Sequence, residues 1–373
     1  MSRPAESGGT RTPAAGLTRR IVHVASGREW RGGQNQVYLL ARELARGQDT
    51  VRQVVVTGAG TLLARKLADA GVPVRGVGWR AGLSVAALAG AVRECAGGRA
   101  LLHAHDAHSL TIAGVAGLLT GTPFVVTKRV VFPLRRRGFW PRAERIIAVS
   151  QAVRDTLLAG GLPPQRIPVV HSGIDLEATR AANPAGIRAR LGLPEDAPLV
   201  VSLGALDRDK DPEALLAAAA ALAGRSPELH WAIAGAGPLR SRLEASIARQ
   251  GLGTRVALVG RLDHEDALRL IASARVYVTA TRAEGLGTTI LEAMALGVPI
   301  VATRVGGIPE MLGDGAGVLI PPEDPAGLAA AVEELLGDSD LRARIVGRAA
   351  DRVEHFTARA MAEGVLAVYR TVT

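Results

Sequence analysis

Two carboxylates, Glu284 and Glu292, bracket a glycine turn and two threonines in the stretch EGLGTTILEAMALGVPIVAT. The apolar residues after Thr288 recur at helical spacing and predict a helix running to Leu296. Gly287 or Thr288 then caps it, and the amides of 287–289 are left to face an anion. Phosphate oxygens suit such amides. An ionised carboxylate only accepts hydrogen bonds, so Glu292 suits hydroxyls such as those of a ribose, and Glu284 those of a second polyol such as a sugar. Hydroxyl, phosphate and hydroxyl in that order describe a nucleotide sugar. An acid placed near a helix N-terminus for stability alone accounts for Glu292, but not for Glu284 or the glycines.

Other residues carry compatible chemistry. Lys210 and Arg208 lie in the loop of SLGALDRDKDPEALL and could neutralise a pyrophosphate, or be solvated loop charges. Lysine occurs only at 66, 128 and 210, against abundant arginine, which marks each lysine for inspection. Gly32-Gly33 and Gly235-Ala236-Gly237-Pro238 each follow a strand and lead into a helix, where exposed amides hold phosphate. Ordinary tight turns explain both equally well. His103 and His105 share one face of a strand, and with Asp106 and His108 they suggest a metal, although a third ligand is not evident. A single histidine lining a cleft is the simpler reading. The segment 128–145 mixes basic residues with Phe132, Phe139 and Trp140, which fits an anionic membrane surface or a solvated loop.

These residues need a scaffold, and the chain supplies it as alternating strands and helices. IVHVA, VRQVVVTG, VPVRGVG, ALLHAH, PFVVTKRVV, RIIAVS and RIPVVHSG read as strands of a first unit. The segment 178–198, with three prolines, reads as an inter-domain connection. Alternation then resumes through PLVVSLGAL, LHWAIAGAG, RVALVG, RVYVTAT, PIVATRVGG and GAGVLIPP, and helices at 325–336, 339–354 and 357–371 close the chain. The expected fold class is α/β: two doubly wound, Rossmann-like domains facing each other across a cleft. The expected division is a disordered basic leader at 1–20, a first domain at 21–180, a second at 190–355, and a final segment at 356–373.

Totals agree with this division. A chain of 373 residues is long for one core and natural for two. The formal charge of +10 is uneven: residues 1–180 hold 25 Lys/Arg against 11 Asp/Glu, and the remainder holds 20 against 24. A basic first half favours an anionic partner. No zinc-finger or RNA-recognition spacing occurs, so nucleic acid is not expected. One cysteine, no signal-peptide stretch and no long apolar run make the cytoplasm the expected compartment, with a peripheral seat at the inner membrane face left open.

Glu284-x₇-Glu292, continuing into EAMALGVPIVATRVGGIPE, resembles the signature of glycosyltransferase family 4, whose members are retaining enzymes of the GT-B fold. HSGID, IIAVS, WAIAGAGP, LVG and RGGQNQ resemble further family segments in the right order, so the resemblance spans about residues 21–371. It implies that Glu292 binds the ribose and Glu284 the transferred sugar, and that the amides of Thr288 and Thr289 hold the proximal phosphate. It implies that Lys210, Arg208 and the Gly33 loop hold the distal phosphate, that His105 lines the sugar site, and that the last helix crosses back onto the first domain. His105, Lys210 and Glu284 become the candidate catalytic residues. Gly32, Gly235, Gly237 and Gly287 join the donor side, and Lys128 and Arg129 the acceptor side. The donor is a nucleotide-diphosphate sugar, the acceptor a glycan or lipid-linked molecule, and no metal or other cofactor is expected. The chain departs from the pattern at Gly204-Ala205, where the family often has Gly-Arg, and at Arg129, where some members have a cleft histidine. A nucleotide-sugar epimerase of the same architecture and a non-catalytic nucleotide-sugar binding protein stay open as alternatives.

Overall fold

Runs of Val, Ile, Leu and Ala between glycine turns form two six-stranded parallel sheets. The computed structural model describes residues 19–372 apart from 28, 48–50, 80–82 and 135–137, so the leader expected at 1–20 lies almost wholly outside the described residues. The first sheet holds β1 (Arg20–Ala25), β2 (Gln53–Gly58), β3 (Val74–Val77), β4 (Ala100–Ala104), β5 (Phe124–Lys128) and β6 (Arg145–Ala148), in the order β3-β2-β1-β4-β5-β6. The second holds β7 (Leu199–Leu203), β8 (His230–Ala234), β9 (Val256–Gly260), β10 (Val276–Thr279), β11 (Ile300–Thr303) and β12 (Val318–Ile320), in the order β12-β11-β10-β7-β8-β9. Every residue of β2, β4 and β5 is buried. Parallel sheets covered by helices on both faces require such continuous apolar runs.

Strand order reverses between β1 and β4 in one sheet and between β10 and β7 in the other. Connections leave in opposite directions there, which opens a crevice at the carboxyl ends of the strands. The two crevices face each other, and the chemistry-bearing residues gather at them.

Glycines set how closely the two domains meet. A Cβ on Gly285 would stand 1.9 Å from the Arg129 carbonyl oxygen, and one on Gly307 2.8 Å from Ser150 Cβ. The Glu310 carboxylate accepts from the amides of Gln151 (2.9 Å) and Ala152 (3.2 Å) and pairs with His171 Nε2 at 2.9 Å. It thereby caps, from the second domain, a helix of the first (Gln151–Ala159). Burial opposes that charge, but the bonds from His171 and the amides outweigh it and hold the carboxyl below its usual range.

Chain crossings occur side by side. The Ile174 amide donates to Phe356 O (2.9 Å), and the Ala358 amide to Ile174 O (2.7 Å). Gly173 lies so close to Thr357 that a Cβ would stand 2.2 Å from its carbonyl oxygen, which accounts for the glycine of HSGID. The helix Ala358–Arg370 then packs Met361, Val365, Val368 and Tyr369 against Ile21, Leu40 and Leu101 of the first domain. Each such burial is worth roughly 1.5–3 kcal/mol, enough to hold the crossing.

Two expectations are corrected. RIPVVHSG forms no strand; Val169 makes only an isolated bridge with Ala148. Pro168 has no amide to donate, and the segment leaves the sheet edge for the crossing. The helix Gln151–Ala159 was not expected, although Ser150 signals it by accepting from the Val153 amide at 3.2 Å.

Candidate active site

Helix starts and strand ends of both domains converge on the cleft. The helix Thr288–Ala295 is capped by Gly287 at φ +98, a left-handed conformation that favours glycine. Its first bonded amide is that of Ile290, to Gly287 O at 3.0 Å, so the amides of Thr288 and Thr289 come before the helical ladder begins. Thr289 is fixed from below by Tyr277, whose hydroxyl donates to Thr289 Oγ1 at 2.9 Å. Across the cleft, a Cβ on Gly32 would reach 3.9 Å from Thr288 Oγ1. Gly32 opens the helix Gly32–Arg46, whose first bonded amide is that of Asn35, to Arg31 O at 3.0 Å. Two helix N-termini from opposite domains thus face one gap.

A cavity of about 730 Å³ runs from that gap along the ends of β7, β8 and β9, lined by Gly32, Ala205, Lys210, Gly235 and Gly237 among others. Lys210 forms an ion pair with Glu284, which places the candidate cation against the candidate sugar-binding acid. Gly235 and Gly237 serve close packing as well as the cavity wall: a Cβ would stand 1.8 Å from Gly204 O and 2.4 Å from Leu206 O. The Gly235 amide is already engaged, donating to Gly260 O at 2.8 Å, so this turn does not offer that amide to an anion. Arg208, expected beside Lys210, is exposed and is not among the residues lining this cavity; Arg31 and Arg261 line it instead.

Glu292 is buried on the helix, and its nearest ionic partner is His264 Nε2 at 3.8 Å. Among the described residues no cation is in closer contact, and burial pushes its carboxyl up to about 8. No described residue donates a hydrogen bond to this carboxyl, and the hydroxyls of a ligand would supply donors.

On the first domain a second cavity of about 1060 Å³ is lined by Gly33, His105, Lys128 and Arg129, with Val37, Phe132, Leu134 and Trp140 forming an apolar wall. Lys128 Nζ donates to Phe132 O at 2.8 Å and lies 5.9 Å from the centre of the Trp140 ring. Arg129 donates from Nη1 to His105 O at 3.0 Å, and burial lowers its guanidinium to about 10. Of the three aromatics of the basic segment, Phe132 is exposed, whereas Phe139 and Trp140 pack against the first-domain core. Residues 135–137 of that segment lie outside the described residues.

His103 and His105 meet a third histidine that spacing did not reveal. His23 on β1 stands opposite His103 on β4 in the parallel register. The three offer ring nitrogens within 4.8 Å of one another, a spacing a metal could use. However, His103 already engages Tyr369 OH (2.6 Å) and Thr127 Oγ1 (2.7 Å), and His23 Nδ1 meets His105 Nε2 at 2.9 Å. The charge of Arg129 next to His105 also opposes a cation. Burial holds His103 and His105 well below the usual histidine range and His23 at about 4, so the rings are neutral: His103 bonds outward, His23 and His105 bond each other, and His23 Nε2 and His105 Nδ1 are left without a hydrogen-bond partner among the described residues. Asp106 belongs to a different structure. It caps the helix Ala107–Thr120 and accepts from Ser26 N (2.9 Å) and Ser26 Oγ (2.6 Å), tying the end of β1 to that of β4. His108 is exposed on that helix.

Paired α/β domains, with helix N-termini, a lysine and two acids around the cleft between them, define a protein of the GT-B type. Residues 185–352 match the family model described as glycosyl transferases group 1, and residues 30–178 that of glycosyltransferase family 4. The α-D-kanosaminyltransferase of Streptomyces kanamyceticus is 31% identical over 263 residues, 68% of each chain. A D-inositol 3-phosphate glycosyltransferase of Frankia alni is 36% identical over 56% of this chain, a match that spans 53% of the relative's length. In structure, Anabaena HepE, crystallised with UDP-glucose, superposes with a TM-score of 0.83 at 20% identity, covering 95% of this chain and all of that one. The chain belongs to glycosyltransferase family 4.

Proposed function

We propose that this protein transfers a sugar from a nucleotide-diphosphate sugar to a hydroxyl of a glycan or lipid-linked acceptor, with retention of configuration. The observation that carries this is the order of groups along the cleft: buried Glu292, the amides of Thr288 and Thr289, then Lys210 paired with Glu284. Glu292 binds the ribose, the amides and Lys210 bind the phosphates, and Glu284 and His105 orient the sugar. As the bond between the anomeric carbon and the phosphate oxygen breaks, the acceptor oxygen bonds to that carbon from the same face. The acceptor proton goes to the departing phosphate oxygen. Lys210 and the helix-end amides stabilise the charge that develops there, without a metal. The first-domain cavity takes the acceptor: its apolar wall suits a lipid-linked glycan of the cell envelope, with Lys128 and Arg129, beside Asp106 and Asp209, for the polar head, met in the cytoplasm at the inner membrane face.

A turnover panel tests this. UDP-, GDP- and ADP-sugars are incubated with and without acceptor extracts and EDTA, and nucleotide release and product configuration are read. Acceptor-dependent release of one nucleoside diphosphate, undiminished by EDTA, with the donor's anomeric configuration kept in the product, is expected. Turnover without acceptor would identify an epimerase, and binding without turnover a non-catalytic protein.

Glu292 gives a separate prediction. In the free protein its carboxyl, at about 8, is largely protonated at pH 7. Ribose hydroxyls donating to it favour the ionised form, so binding lowers its pKa and releases a proton. Calorimetry at pH 7 in buffers of different ionisation enthalpy should find roughly half to one proton released per nucleotide bound. Glu292→Gln should remove that release and weaken binding; unchanged release would place the proton elsewhere.

A further inference from the structure

The donor cavity holds two arginines that the pattern of motifs does not use. A diphosphate carries more than one negative charge, Lys210 is shared with Glu284, and position 205 is alanine. Among the described residues, the remaining cations lining this cavity are Arg31, from the first domain, and Arg261, from the second. Arg31 is the residue before the helix Gly32–Arg46, and Arg261 follows β9 directly. Both converge on one carboxylate. Arg31 donates to Glu29 Oε2 from Nη2 (2.8 Å) and Nε (3.2 Å). Arg261 reaches the same oxygen from Nη1 at 3.4 Å and donates to Trp30 O from Nη2 at 3.2 Å.

Glu29 therefore does for these guanidiniums what a phosphate would do: it collects two cations from opposite sides of the cleft. Guanidinium forks match phosphate oxygens as well as they match carboxylate. All three side chains are more than half exposed, so little packing opposes their exchange onto a ligand.

We propose that Arg31 and Arg261 bind the diphosphate of the donor, replacing Glu29 as their common anion and supplying from both domains the charge that position 205 lacks. The inference rests on the glycosyltransferase reading above.

The test uses whichever of UDP, GDP and ADP the unaltered chain binds most tightly, together with the matching nucleoside. Arg31→Gln/Arg261→Gln should lose about 10- to 100-fold in affinity for the diphosphate, the effect of losing charge-assisted bonds, with nucleoside affinity unchanged. Adding Ala205→Arg, which restores a guanidinium to the same cavity, should recover part of the loss. Diphosphate affinity within twofold of the unaltered chain would overturn the proposal. So would an equal loss for the nucleoside, which would assign the arginines to the base. Failure of the unaltered chain to bind any nucleoside diphosphate would instead overturn the glycosyltransferase reading, and this proposal with it.

Discussion

Lys210→Met should lower kcat by about 10²–10³-fold while the protein stays folded. Lys210 is one of the few cations at the donor cavity, and a preorganised charge acting on a departing phosphate is worth roughly 3–4 kcal/mol in the transition state. Its ion pair with Glu284 is partly solvated at both ends, so its loss costs the fold only about 1 kcal/mol or less. Methionine keeps the stem that packs beside Gly204, where an added Cβ would stand 3.4 Å from Lys210 Cγ. The measurement is steady-state kinetics with saturating acceptor, alongside a thermal melt. A drop in kcat larger than the rise in donor KM would show stabilisation specific to the transition state. A kcat within threefold of the unaltered chain would remove Lys210 from the mechanism.

Gly285→Val should have an effect of similar size for a different reason. Any Cβ at 285 meets the Arg129 carbonyl oxygen at 1.9 Å, an approach no real contact tolerates. The obstacle lies on the other domain, so the strain can be relieved by opening the cleft with each core left intact. Activity should fall by about 10²-fold, since displacing reacting groups by 1 Å has that consequence. The melting temperature should stay within a few degrees, and small-angle scattering should show a larger radius of gyration. A variant of normal radius and normal kcat/KM would mean that the 129 loop yields and the domain spacing is unaffected. Gly306 makes a contrasting case: at φ +53, with Glu284 O only 1.7 Å from an added Cβ, it has its obstacle within its own domain.

Most of the scaffold is legible in the order of the amino acids, because hydrophobic periodicity is local. Continuous apolar runs such as VVV and ALL, bounded by glycine turns, define buried parallel strands wherever they occur. That order also places Glu284, Thr288, Thr289 and Glu292 relative to one another, since they share one turn and one short helix. The strand expected at 166–173 and the missed helix Gln151–Ala159 show the limit of that argument. At 166–173 the chain leaves the sheet edge for the domain crossing, and pairing partners outweigh local propensity there, whereas the helix carries a local signal in its Ser150 cap.

Which distant residues share a site depends on strand pairing and on how the domains meet. His23 joins His103 because β1 and β4 pair in parallel register, 80 residues apart in the chain. Phe139 reads as a membrane-facing aromatic in sequence, yet its ring covers Gly114. Arg208, two positions from Lys210, does not line the donor cavity, whereas Arg31 and Arg261, separated by 230 positions, converge on Glu29. Linear spacing cannot report these meetings, because strand order and the approach of the two domains, set by contacts such as Gly285 on Arg129, determine which strand ends face one another.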